Sequence, residues 1–190
     1  MNYGELAAYW YLRLNGFFPI SNFVVHASGD VLHTTDCDVL AVRPPFVYEQ
    51  IGGQPGDWDP FLVENLGLDR PVGIICEVKT GGYEVEKIFR DEPVQYAVRR
   101  LGLLPEAEAE HVARALREAP VCRANDGTLI GKLLVAKDEA DGPFLYRPLS
   151  AVRGFLDARV AKYPKEKFRD RMFFGPVLFQ FVIESLRQDF

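Results

Sequence analysis

The 190-residue chain is 48% hydrophobic and carries 22 Lys or Arg against 27 Asp or Glu, a formal charge of −5. That length fits one domain able to bury a sizeable core, and no apolar run reaches the roughly 18 residues a membrane span needs. The acidic balance speaks against a stand-alone duplex-wrapping protein, which draws most of its affinity from neutralising phosphates.

Met1-Asn2-Tyr3-Gly4-Glu5 lacks the basic start and short apolar run of a signal peptide. The cysteines Cys37, Cys76 and Cys122 are far apart and odd in number. They fit neither a disulfide framework nor a zinc site, and they point to a reducing cytoplasm. Residues 4–15 read as a helix, with Leu6, Tyr9, Trp10, Arg13 and Leu14 near helical spacing and Asn15-Gly16 as the stop. Ile20 to His26 reads as a strand, Gly29-Asp30 as a turn, and Cys37 to Val42 as a second strand ended by Pro44-Pro45. Residues 44–70, broken by Gly52-Gly53, Pro55-Gly56 and Asp59-Pro60, read as an insertion able to cover one side of a cleft.

Val72 to Val78 is nearly continuous apolar sequence, which suits a central strand buried on both faces. A helix is expected from Asp91, its candidate cap, with Pro93 in the first turn, to about Leu103. Glu106–Glu118 reads as a second helix, Thr128–Ala136 and Phe144–Arg147 as strands, and Leu149–Lys162 as an amphipathic helix. A last helix is expected after Gly175-Pro176, up to Arg187. Between Arg147 and Arg171 eight Lys or Arg oppose three acids. This stretch is either a solvated face or a phosphate-binding face, with Arg153, Lys162, Lys165 and Lys167 as the contacts in the second case. An α/β domain with a mixed sheet flanked by helices is the natural packing of this order.

The placement of charge carries the chemistry. Glu77 and Lys79 end the most apolar strand of the protein, and strand alternation puts them on one face. Burying a carboxylate and an ammonium there costs several kcal/mol unless something compensates. Asp36 and Asp38 share a face of another strand. If the two strands are neighbours, Asp38 and Glu77 converge, and a divalent cation relieves their repulsion. Hard oxygen ligands with open positions favour Mg²⁺ or Mn²⁺, and Lys79 beside such an ion could orient an attacking water or stabilise charge on a phosphate.

Asp38 followed by Glu77-Val78-Lys79 resembles the signature of the PD-(D/E)XK nuclease superfamily. Gly4-Glu5-Leu6-Ala7-Ala8 through Gly16-Phe17 is similar to the first helix of its restriction-endonuclease-like and Holliday-junction resolvase-like branches, and Asp36 to Ala41 to the strand carrying the metal-binding aspartate. The resemblance covers residues 4 to about 103 and extends weakly to about 162. It implies a three-layer restriction-endonuclease-like core over residues 4–162; residues 163–190 have no counterpart in it and read as a C-terminal helical extension of a single domain. It also implies Mg²⁺-dependent hydrolysis of DNA. In that scheme Asp38, Glu77 and the Val78 carbonyl bind the metal, Glu5 joins them, and Lys79 positions the water.

Several residues carry a second reading. Glu5 suits a helix first turn through the dipole alone. Asp36 supports the site or simply precedes the strand. Gln95 supports the site or is an ordinary helix-surface residue. For Asp38, Glu77 and Lys79 the structural alternative is an ion pair at a strand end with Asp38 capping a turn. The functional alternative is a catalytically silent nuclease-fold module that binds nucleic acid or a protein partner, for example in a bacterial defence or DNA-repair complex. A homodimer or a partner subunit would supply recognition, since no reading module is visible.

Overall fold

A computed structural model describes residues 2–25 and 35–163. The elements are α1 (Tyr3–Leu14), β1 (Phe18–Val25), β2 (Thr35–Arg43), α2 (Pro60–Leu66), β3 (Val72–Lys79), α3 (Asp91–Leu101), α4 (Glu106–Ala115), β4 (Val121–Arg123), β5 (Leu129–Ala136), β6 (Leu145–Pro148) and α5 (Leu149–Lys162). The strands form one mixed sheet in the order β1-β2-β3-β5-β4, with β6 also on β5. β1, β2 and β3 pair antiparallel, whereas β3, β5 and β6 run parallel.

Burial follows from strand alternation. On one face Val39, Ala41, Ile74, Cys76, Val78, Leu133 and Val135 pack against α1, α2 and α5. On the other, Leu40, Ile75 and Ile130 pack against α3 and α4. The result is the expected three-layer α/β core, a mixed sheet between helices. β3 and β5 are buried on both faces, which explains their mostly apolar sequences, broken by Lys132 in β5 and by Glu77 and Lys79 at the end of β3. No helix among the described residues is long and apolar enough to cross a membrane.

α1 opens with a capping box. The Asn2 side chain accepts from the Glu5 amide at 3.0 Å while the Glu5 carboxylate accepts from the Asn2 amide at 3.0 Å. Gly4 lets the first turn sit on the end of β3, because a Cβ there would meet Thr80 Cγ2 at 2.5 Å and Val78 Cγ1 at 2.9 Å. Gly16, at φ +84°, supplies the left-handed step that returns the chain into β1.

The 44–70 connection is more ordered than its sequence suggests. It holds a 3-10 turn at Pro55–Asp57 and α2, capped by the Asp59 side chain on the Phe61 amide. One of its acids is tied to the end of α5. Asp57 accepts from Lys162 Nζ at 2.7 Å and Tyr163 Oη at 2.8 Å, and Arg159 donates to the Gly52 and Asp57 carbonyls. Burial pushes the Asp57 carboxyl up, but these hydrogen bonds outweigh it and hold the group below its ordinary range. Asp59, 2% exposed, accepts from Tyr11 Oη at 2.8 Å and Arg147 Nη2 at 2.7 Å. Arg43, also 2% exposed, anchors the start of the connection through the Asn15 and Leu68 carbonyls and lies over the Trp58 ring.

Asp91 is not the cap of α3. It is the first helical residue, and Arg90 holds the cap position without a side-chain hydrogen bond. The short strand β4 was not expected. The expected helix over 175–187 lies outside the described residues, as do Lys165 and Lys167.

Candidate active site

β2 and β3 are neighbours, and their register pairs Leu40 with Ile75 and Val39 with Cys76. Beyond that pair the backbone ladder stops. Val78 donates its amide not to the β2 backbone but to Asp38 Oδ2, at 2.7 Å. The carboxylate therefore fills the gap left as β2 separates from β3. A strand residue aims its N–H and C=O to the same side, so the Val78 carbonyl points toward β2 as well. On the far side of β2, Asn22 lies between the Ser21–Val39 and Phe23–Cys37 pairs with φ +53°, a conformation asparagine tolerates. The kink in β1 thus falls beside Asp38.

Lys79 Nζ lies 2.8 Å from Glu77 Oε2 and 3.5 Å from Asp38 Oδ2. Two carboxylates on adjacent strands thus share one ammonium, at side-chain exposures of 19% for Asp38, 16% for Glu77 and 31% for Lys79. Burial and the neighbouring Asp38 charge push the Glu77 carboxyl from its ordinary 4.5 up to about 7, against the pull of Lys79. Burial acts to lower the Lys79 pKa, but the two carboxylates outweigh it and the ammonium is held above its ordinary value. At neutral pH the set carries more negative charge than one lysine relieves.

A pH titration of the metal-free protein should show this. The Glu77 side-chain carboxyl, followed by carbon NMR, should titrate near 7 and fall toward the ordinary range in Asp38→Asn. Folding raises this pKa, so the native state binds more protons than the unfolded chain between about pH 4.5 and 7. The contribution to stability is therefore complete below the unfolded value and is lost as pH rises through about 7. A midpoint near 4.5 in the native protein would show that the two carboxylates do not interact.

The three groups line a cleft of about 250 Å³ on the α3 face of the sheet. Its other wall comes from the connection between β3 and α3, through Lys87, Phe89 and Arg90, and from Pro93 and Val94 in the first turns of α3. Arg90 is exposed and has no charged partner among the described residues, whereas Lys87 pairs with Glu84 at 2.8 Å. Lys87, Phe89 and Arg90 carry no signal in the sequence, because their segment has no regular period.

The other expected residues fall elsewhere. Glu5 sits in the first turn of α1, on the opposite face of β3, engaged by Asn2 and absent from the cleft lining. Gln95 is half-buried on α3 and does not line the cleft either. Asp36 lies opposite Val24 in the β1–β2 register, and its side chain is outside the described set. Of the residues named for a phosphate-binding face, Arg153 and Lys162 lie on α5. α5 packs in the α1 layer, across the sheet from the cleft. There Lys162 is committed to Asp57, and Arg153 lies 3.6 Å from Asp157.

The donor set suits a small hard cation. It offers two carboxylates and a backbone carbonyl, and Mg²⁺ commonly uses one or two carboxylates and keeps several waters. Among the described residues no group of three or more His, Cys, Asp or Glu side chains gathers at one point. No family model, curated protein or solved structure matches the chain.

Proposed function

We propose that the protein is a Mg²⁺-dependent phosphodiesterase acting on DNA, of the PD-(D/E)XK nuclease type. The observation that supports it is the Lys79 ammonium held between Asp38 and Glu77 at the mouth of a cleft. Asp38, Glu77 and the Val78 carbonyl would hold the ion, with Mn²⁺ as a substitute. When bound, a divalent cation supplies Lewis-acid polarisation of a phosphoryl oxygen and a more acidic water.

The chain's own groups do the rest. Glu77, with its raised pKa, loses its proton readily near neutral pH and becomes a competent ligand. Lys79, released from the carboxylates, donates to the attacking water or to a phosphate oxygen. Arg90 and Lys87, on the opposite wall, replace the α5 residues as the contacts for the DNA backbone. The three free thiols, far apart and odd in number, support a cytoplasmic location, and a homodimer or partner subunit would supply recognition.

A second reading draws on the same contact. Lys79 already neutralises part of the pair, so the set could be a structural ion cluster in a non-catalytic module that binds nucleic acid or protein. Cleavage of supercoiled plasmid and of oligonucleotides with Mg²⁺ or Mn²⁺ separates the two, beside calorimetric Mn²⁺ titration. The hydrolase should bind Mn²⁺ and nick DNA, and both properties should be lost in Glu77→Gln. Absence of Mn²⁺ binding by the wild-type protein would sink the proposal. Metal binding without cleavage would point to a partner-dependent subunit.

A further inference from the structure

β5 is buried along its whole length, yet its fourth residue is Lys132, 1% exposed. It stands opposite Ile75 of β3, on the α3 face. Its Nζ has neither a hydrogen-bond acceptor nor an ion-pair partner among the described residues. The Phe89 ring centroid lies 5.7 Å from Nζ. Phe89 is held at φ +53°, a left-handed conformation that a bulky residue adopts only at a cost of about 1–3 kcal/mol. Phe89 lines both the Glu77 cleft and a second cavity of about 620 Å³ that Lys132 also lines.

This second cavity is not part of the Glu77 site. Phe89, Ile88 and Phe144 make it partly apolar. Glu86, Asp91, Glu92 and Asp141 stand on its lining against Arg90 and Arg117. Arg117 is paired with Asp91 at 3.1 Å, so the lining without Lys132 is net acidic.

An ammonium without an acceptor on a side chain only 1% exposed is unfavourable, and losing the proton or gaining an anion relieves that cost. The acidic lining disfavours an anion. We propose that Lys132 is a nucleophilic amine that captures a small uncharged aldehyde or ketone in this cavity as an imine. The lone pair on Nζ attacks the carbonyl carbon, and the C=O π pair moves to oxygen, which takes a proton. The carbinolamine then loses water as C=N forms. Amine plus carbonyl gives imine plus water, with no oxidant or reductant. Burial pushes the Lys132 pKa down to about 8, against the raising effect of Asp91 on α3 and Glu118 after α4, so a useful fraction of the amine is free at neutral pH.

The test is reductive trapping. The full-length protein is incubated at pH 7 with propanal and sodium cyanoborohydride, which reduces an imine to a stable secondary amine, and adducts are mapped by mass spectrometry. Lys132 should be alkylated at least about tenfold faster than the exposed Lys87 and Lys137, since a lysine of ordinary pKa holds far less free amine at pH 7. Labelling of Lys132 no faster than those two overturns the proposal. Faster reaction with anionic glyoxylate than with propanal overturns the ligand class. A Lys132→Met variant should lose the fast adduct alone. Should that variant fail to fold, the wild-type rates still decide.

Discussion

Replacing Lys79 with Met should lower DNA cleavage by about 10²–10⁴-fold, the range for a positioned proton-transfer or charge-stabilising group, while Mn²⁺ binding persists or tightens. The expectation comes from the geometry. Lys79 Nζ is the counter-charge that Asp38 and Glu77 now share, at 3.5 and 2.8 Å. A divalent ion entering between them must displace it. Methionine keeps the length of the side chain but removes that competitor, so the carboxylates become a better ligand pair. Chemistry suffers because nothing then orients the water or meets the phosphate charge. Glu77→Gln should behave differently, losing metal and cleavage together. Single-turnover cleavage and Mn²⁺ calorimetry on the two variants separate these effects. Cleavage by Lys79→Met at the wild-type rate would mean that the activity comes from elsewhere. Loss of Mn²⁺ binding in that variant would mean that the lysine shapes the site and does not compete for it.

Asp59→Ala should destabilise the protein by about 3 kcal/mol, within the range for breaking a buried ion pair from one side. Asp59 is 2% exposed and ends three contacts: the Tyr11 hydroxyl from α1, the Arg147 guanidinium from the end of β6, and the Phe61 amide that starts α2. Its own amide donates to Asn15 Oδ1 at 2.7 Å. Burial, and then the Asp59 carboxylate, push the Tyr11 hydroxyl far above its ordinary pKa, so the phenol stays protonated and needs an acceptor. Alanine leaves that hydroxyl and the guanidinium facing each other in the core. Urea unfolding should show the midpoint falling with an unchanged slope, and Asp59→Asn, which keeps the cap, should lose less. Mn²⁺ binding should be untouched, because Asp59 lies in the α1 layer. A loss below about 1 kcal/mol would mean that water replaces the carboxylate without penalty.

Periodicity made the frame of this molecule readable. β3 and β5 are apolar because both faces are covered, and α1 and α5 begin and end within a residue or two of their expected limits. The convergence of Asp38 with Glu77 and Lys79 was also readable, since two strands with charged ends need only be neighbours. The cleft wall was not. Phe89 and Arg90 reach it through a connection whose shape depends on a left-handed residue, and no period marks such a residue. Tertiary contacts also decided the fate of the α5 charges. Helical spacing says that Lys162 and Arg159 lie near one end of α5, but only the fold reveals that Asp57 and its loop carbonyls wait there. Lys132 was visible within an apolar run, yet the run alone does not say whether the amine meets a carboxylate or a cavity. Asp91 was mistaken for a cap because its type suits one, whereas Arg90 takes the extended backbone of that position.

The internal use of Arg147, Arg159 and Lys162 also governs how the molecule looks from a distance. Arg147 and Lys162 are paired with Asp59 and Asp57, Arg159 donates to nearby carbonyls, and the chain as a whole carries −5. A polyanion approaching this protein feels that negative charge as repulsion once it comes within about a Debye length, roughly 8 Å at physiological ionic strength. Moderate salt should then speed the encounter, the reverse of the trend for a basic nuclease, and capture would depend on short-range contacts at the cleft instead of long-range attraction.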